Sequence, residues 1–233
     1  MSIAENVAKI VANVEQAVAR RSQPKGTGSA VKLVAVTKNH EAAAVREVLA
    51  AGVTAVGENR VQEAAAKAAE LTGAHAEWHL VGHLQTNKIR QAVPLFSLIH
   101  SLDSERLAAE IDRVAAKLGK RQDVLIQVNV AGEDTKFGIG PTAVASLVRQ
   151  VGELANVRLA GLMTIAPFFD DPEQARPVFR DLYNMFMELK TAEPAAAGME
   201  WLSMGMTNDY MVAVEEGANL IRVGTAIFGP RHY

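Results

Sequence analysis

Cysteine is absent from all 233 residues, so disulfides, thiolate catalysis and cysteine-ligated zinc are excluded, which suits a reducing compartment. An excess of one charge is missing too: 24 Lys and Arg stand against 26 Asp and Glu, for a formal net charge of -2. That balance gives no electrostatic reason to expect nucleic acid or an anionic membrane as partner, although small anions can still be met locally. Long apolar runs are lacking as well. Residues 2–20 are interrupted by Glu5, Lys9, Glu15 and Arg20, so this segment is expected to be neither a signal peptide nor a membrane span, and the protein is read as cytoplasmic. What is there suits a globular chain: 49% apolar and 21% charged residues, enough for a sizeable core.

Along the chain, strands alternate with helices. Ile3, Val7, Ile10, Val11, Val14 and Val18 recur at helical spacing, which predicts an amphipathic helix over 2–20 packed on the outside. An exposed loop with Pro24, Gly26 and Gly28 follows, without a domain boundary, so 1–233 is read as one domain with an N-terminal helix to 22 and a loop over 23–30. Residues 31–36, rich in Val and Leu, predict a buried strand that ends in Thr37 and Lys38. Further strands are expected over 53–57, 76–81, 96–100, 123–130, 157–165, 200–203 and 219–223, each followed by a helix or a helical turn. Gly52 stands where a helix-ending glycine belongs, Asn59 with Gln62 reads as a capping box, and Asp103 or Ser101 is expected to cap the helix of Leu107 and Ile111. Eight such units in this length predict a closed (β/α)8 barrel of the α/β class. An open doubly wound sheet is the alternative, but Thr37-Lys38-Asn39-His40 holds no glycine of a dinucleotide-binding fingerprint.

In such barrels the carboxyl ends of the strands form the active face. Here those ends carry Lys38, Glu58, Asn59, His79, His83, His100, Met163, Thr164, Ser203, Thr207, Arg222 and Thr225. A lysine there that loses water on one side becomes a nucleophile toward a carbonyl, although Lys38 taken alone reads first as a solvated lysine. Ser203-Met204-Gly205-Met206-Thr207 leads into a helix, so a glycine turn, backbone N–H groups and a hydroxyl face outward as an anion site. Arg222-Val223-Gly224-Thr225 offers a second such turn, and barrel phosphate sites commonly follow the seventh and eighth strands. Taken singly, these are a capping threonine and a turn glycine; together they favour phosphate. A guanidinium buried at Arg222 must meet an acceptor, either a core carboxylate such as Glu200 or an unprotonated ring nitrogen of a cofactor. An aldehyde-reactive lysine, a phosphate site and an arginine between them describe pyridoxal 5′-phosphate (PLP) better than a plain sugar phosphate. His79 and His83 are separated by Gly82 in a strand-to-loop context, so no metal is expected. Asp170-Asp171 and Glu215-Glu216 are read as solvated faces.

Several motifs, in order and spanning almost the whole chain, resemble one family. They are Leu33-Val34-Ala35-Val36-Thr37-Lys38, Gly57-Glu58-Asn59-Arg60-Val61-Gln62-Glu63, Trp78-His79 with Leu84-Gln85-Thr86-Asn87-Lys88, Gly161-Leu162-Met163, Leu202-Ser203-Met204-Gly205-Met206-Thr207, and Arg222-Val223-Gly224-Thr225 with Ile227-Phe228-Gly229. The resemblance is to the PLP homeostasis protein family, and it implies an alanine-racemase-like barrel of the fold-type III PLP class. By that resemblance Lys38 is the Schiff-base lysine, Arg222 faces the pyridine nitrogen, and Ser203, Met206, Thr207, Gly224 and Thr225 surround the phosphate. Asn59, His79 and Met163 would lie near the ring. The family often has an aromatic residue where Arg60 stands, proline where His83 stands and serine where Thr207 stands; Thr207 keeps the hydroxyl, while Arg60 and His83 bear on what enters the mouth.

The expected function is to hold and supply PLP in vitamin B6 and amino-acid homeostasis, with little or no turnover and with apo PLP enzymes as conceivable recipients. A ring nitrogen facing Arg222 stays unprotonated, which weakens the ring as an electron sink. Racemisation also needs a second acid/base opposite Lys38; in related racemases it comes from an additional domain, and the sequence given ends at Tyr233. The alternatives are a low-rate amino-acid racemase and a Schiff-base aldolase acting on a sugar phosphate. A monomer is expected, and Lys136, in the loop over 132–140, is a candidate for a peripheral ligand contact.

Overall fold

Each strand of this chain is buried on both faces, which only a sheet wrapped on itself and covered by helices allows. The computed structural model describes residues 1–229 except 23, 24, 72, 74, 134 and 135, and Tyr233 lies outside the described residues. Eight parallel strands close in chain order: β1 (Lys32–Val36), β2 (Ala55–Glu58), β3 (Glu77–Leu80), β4 (Leu98–Leu102), β5 (Gln122–Gln127), β6 (Val157–Met163), β7 (Trp201–Ser203) and β8 (Leu220–Val223). Val34 pairs with Ala55 on one side and with Arg222 on the other, so β8 joins β1 and no edge remains. The open-sheet alternative is thereby overturned.

Two apolar layers follow from strand alternation. Inside the barrel, Val34, Val36, Ala55, Val81, Leu98, Leu125, Ala160, Met163 and Leu220 pack together. The opposite faces, with Val56, Ile99, Val124, Ile126 and Leu202, meet the helices. Close approach of β6 and β7 requires a residue without a side chain at Gly161, where a Cβ would lie 1.8 Å from the Trp201 carbonyl oxygen.

The outer ring begins with α1 (Ile3–Ala19), whose buried face carries Val7, Ile10 and Ala17 and packs on α8 (Tyr210–Glu215) and α9 (Thr225–Phe228). It continues through α2 (Ala42–Ala50), α3 (Val61–Glu70), α4 (Ile89–Leu95), α5 (Glu105–Lys117), α6 (Val144–Gly152) and α7 (Arg176–Ala192). Gly52, with φ of 91°, follows α2 as its sequence position suggested. Among the described residues no helix is long and apolar enough to cross a membrane.

Two expected caps are corrected. Asn59 does not cap α3, because Arg60 is the N-cap residue and makes no side-chain cap bond; the Asn59 backbone packs against Gly82 one residue too early. Ser104, rather than Asp103 or Ser101, caps α5 by accepting from the Leu107 N–H at 3.4 Å, since β4 extends to Leu102 and takes Ser101 into the strand.

Candidate functional site

Lys38 stands half-buried two residues beyond the carboxyl end of β1, the strand whose Val34 and Val36 face into the barrel. The chain then turns sharply at Asn39, whose φ of 63° makes it the one described non-glycine residue in the left-handed region. Beneath this turn lies a buried charge pair. Lys67 donates to Glu58 Oε1 at 2.5 Å and to the Thr37 carbonyl at 2.6 Å, while the Thr37 hydroxyl donates to the same carboxylate oxygen at 2.6 Å. Burial pushes the Glu58 carboxyl up, opposed by its bonds to Lys67 and Thr37. The backbone that presents Lys38 is thus anchored from below by a lysine of α3.

Across the barrel, Gly205 has φ of 93°, and a Cβ there would lie 2.8 Å from the Tyr210 Cα, so the turn after β7 accepts only glycine. Asp209 accepts from the Met206 N–H at 2.6 Å and fixes the same turn. The Thr207 hydroxyl accepts from the Ala226 N–H at 3.3 Å, which ties this turn to the one through Gly224 and Thr225. Thr225 and Met206 are exposed; Thr207 and Gly224 are half-buried. The two turns expected to form an anion site are therefore neighbours.

Arg222 points into the barrel at the level of Val34 and is 4% exposed. Its Nη1 donates to the Ser203 hydroxyl at 2.5 Å and its Nη2 to the Thr164 carbonyl at 2.8 Å. Burial lowers its pKa to about 10, so it remains charged near neutrality. The core carboxylate suggested as a partner does not pair with it: Glu200 binds Arg158 on the exposed side, at 2.7 Å. Among the described residues no carboxylate forms an ion pair with Arg222, so a buried cation is met only by neutral oxygens beside the barrel mouth.

The remaining expected residues fall in two places. His79 is fully buried, with Nε2 3.1 Å from Glu77 Oε1 and Nδ1 3.1 Å from His100 Nε2, so it lies in the barrel floor. Met163, also fully buried, packs in the inner apolar layer. Asn59 stands half-buried at the end of β2. On the rim, His83 stacks on Phe137 with ring centroids 4.1 Å apart and lies 3.5 Å from Asp103. Arg60 is exposed beside Glu63, and Lys136 pairs with Glu133 at 3.1 Å; Asp134 and Thr135 lie outside the described residues. Glu215 and Glu216 are not a solvated face, because Arg176 binds both and buries Glu216.

Sequence reading missed Lys67 and Asp209. Lys67 falls on an alanine-rich helix, with nothing local to show that it faces inward, whereas Asp209, three residues after Met206, carried a capping signal that was available. Among the described residues no group of three or more His, Asp or Glu is placed to hold a metal.

Comparison with known proteins agrees with this geometry. Residues 6–232 match the family model of the alanine racemase N-terminal domain. The chain is 40% identical over 233 residues to the pyridoxal phosphate homeostasis protein of Aquifex aeolicus, covering 100% of both chains. It is 38% identical over 232 residues to the protein of that name from Pseudomonas aeruginosa, covering 100% of this chain and 97% of the relative. PipY of Synechococcus elongatus, solved with PLP bound, superposes with a TM-score of 0.83 at 41% identity, over 98% of this chain and 100% of PipY. An alanine racemase from Clostridium difficile, at 16% identity and a TM-score of 0.72 over 98% of this chain and 57% of the racemase, shares the fold. At 40% and 38% identity to full-length proteins of that name, the chain belongs to the pyridoxal phosphate homeostasis protein family.

Proposed function

We propose that this protein binds PLP at the carboxyl mouth of the barrel and serves to hold and supply the cofactor within vitamin B6 and amino-acid homeostasis. The observation that carries the reading is Arg222: a buried guanidinium met only by a hydroxyl and a carbonyl, on the strand paired with the one that leads to Lys38 and beside two joined glycine turns. Such a cation calls for an electron-rich acceptor, and an unprotonated pyridine nitrogen supplies one. The names of full-length relatives and the PLP-bound PipY neighbour support the same ligand.

In this reading Lys38 would supply the amine that holds PLP through its aldehyde, and Thr207, Thr225, Gly224 and the Met206 backbone would hold the phosphate. Asn59 would border the ring, with Met163 and His79 in the barrel floor. PLP supplies an electrophilic aldehyde and an electron-accepting ring. Arg222 keeps the nearby acceptor from taking a proton, because the guanidinium donates hydrogen bonds without releasing its proton. That electronic state favours retention over turnover.

Titration of the purified protein with PLP, followed by visible absorbance, tests the binding. A Schiff-base band that appears with wild type and is lost in Lys38→Ala is the expected result. Incubation with single L-amino acids and chiral analysis tests the rest, and robust formation of a D-isomer contradicts the holding role.

A further inference from the structure

The polar side chains inside the barrel do not stop at Arg222. From its Nη1 the contacts run to Ser203 Oγ at 2.5 Å, from Ser203 to His100 Nδ1 at 3.1 Å, from His100 Nε2 to His79 Nδ1 at 3.1 Å, and from His79 Nε2 to Glu77 at 3.1 Å. Lys32 closes the far end, 2.7 Å from the other Glu77 oxygen. His79, His100 and Ser203 are each fully buried, so no water exchange relaxes the geometry of these contacts.

The two ends fix the direction of every bond between them. Arg222 can only donate. Glu77, held at a pKa of about 2 first by its bond to His79 and then by Lys32, is ionised and can only accept. Burial drives both imidazoles toward the neutral form, in which one nitrogen carries a proton and the other is bare. His79 therefore carries its proton on Nε2, toward Glu77, and offers a bare Nδ1. His100 must then carry its own proton on Nε2, leaving Nδ1 bare to accept from the Ser203 hydroxyl, whose oxygen accepts from Arg222. With both rings neutral, no other arrangement satisfies all four contacts.

We infer that His100 and His79 are positioning residues: through Ser203 they form a one-way relay that aims the Arg222 guanidinium and anchors it to the Glu77–Lys32 ion pair at the opposite end of the barrel. What Arg222 faces rests on the PLP reading given above; the relay itself does not. One consequence concerns Ser203. A hydroxyl whose proton goes to His100 cannot also donate to a phosphate, so Ser203 serves Arg222 and the phosphate falls to the threonines and backbone of the two turns.

Two measurements test this. In 15N-labelled wild type without ligand, long-range 1H–15N correlation spectra should show His79 and His100 both protonated at Nε2 and bare at Nδ1 near neutral pH. Either ring protonated at Nδ1 overturns the relay. PLP titration then compares His100→Leu, which removes the acceptor for Ser203, with His100→Asn, whose side-chain oxygen replaces it. Loss of a hydrogen bond that orients a charged group should weaken binding roughly tenfold in His100→Leu and shift the visible band, with His100→Asn restoring most of both. Wild-type affinity and band in a folded His100→Leu protein, or equal losses in the two variants, contradict the positioning role. If wild type takes up no PLP, the PLP reading fails while the spectra of the ligand-free protein still decide the relay.

Discussion

Lys67 sits two helical turns from the start of α3, yet its ammonium reaches under β1 to hold Glu58 and the carbonyl that precedes Lys38. Removing one member of a buried pair leaves the other uncompensated, so Lys67→Met should cost about 3–5 kcal/mol in denaturant unfolding. The double variant Lys67→Met with Glu58→Leu should recover most of that loss; an equal or larger loss would mean that the pair is not the origin of the effect. The buried histidines give a pH signature. Burial lowers the pKa of both His79 and His100, so the folded protein keeps them neutral while the unfolded chain takes up protons below about 6.5. Their contribution is complete above that value and is lost as pH falls from it toward their lowered values. Glu77 adds its own loss only further down, between the ordinary carboxyl value of 4.5 and about 2. Melting temperature measured from pH 7 to 5 should therefore decline in wild type and decline less steeply in His100→Leu; parallel slopes would contradict the buried, neutral assignment.

Among the elements, β7 and β8 form the thinnest seam of the barrel, with a single paired position, Ser203 with Leu220. Asn219 reinforces it from the side. Its Oδ1 accepts from the Leu202 N–H at 2.7 Å and its Nδ2 donates to the Glu200 carbonyl at 2.7 Å, so one side chain adds to the few backbone bonds that join the two strands. Asn219→Ala leaves a buried N–H and a carbonyl unsatisfied and should lower stability by about 1–3 kcal/mol, with faster amide exchange at Leu202 as the local readout. The alternation of strand and helix was legible because continuous Val/Leu runs and helix-ending glycines such as Gly52 are local signals. The seam was not, since Asn219 looks like the first residue of a strand until β7 is placed beside it. The shift of the α5 cap to Ser104 has the same origin: a strand extends as far as its neighbour pairs with it, and that neighbour is distant in sequence.

For the molecule as a whole, barrel closure converts strand ends that are scattered in sequence into one site. Lys38, the turn at Gly205 and the turn at Gly224 were legible because each couples a chemical group to a backbone requirement that glycine or a strand end reveals. The partners of Arg222 were not legible. Ser203 lies on the neighbouring strand β7 and Thr164 at the end of β6 beyond it, so only strand pairing brings them to Arg222, and Glu200, the carboxylate nearest to expectation in sequence, belongs to the exposed bottom of the barrel with Arg158. The bonds of His79 to Glu77 and His100 were not legible either, since nothing local shows that the two histidines meet inside the barrel. The central claim is that Lys38 is the covalent anchor of PLP at this mouth. Borohydride reduction of the PLP-loaded protein followed by peptide mass spectrometry tests it most directly, with Lys38→Ala as the control. The account predicts a pyridoxyl adduct on Lys38 that vanishes in the variant; PLP retained by the wild-type protein with no adduct at Lys38 would contradict it.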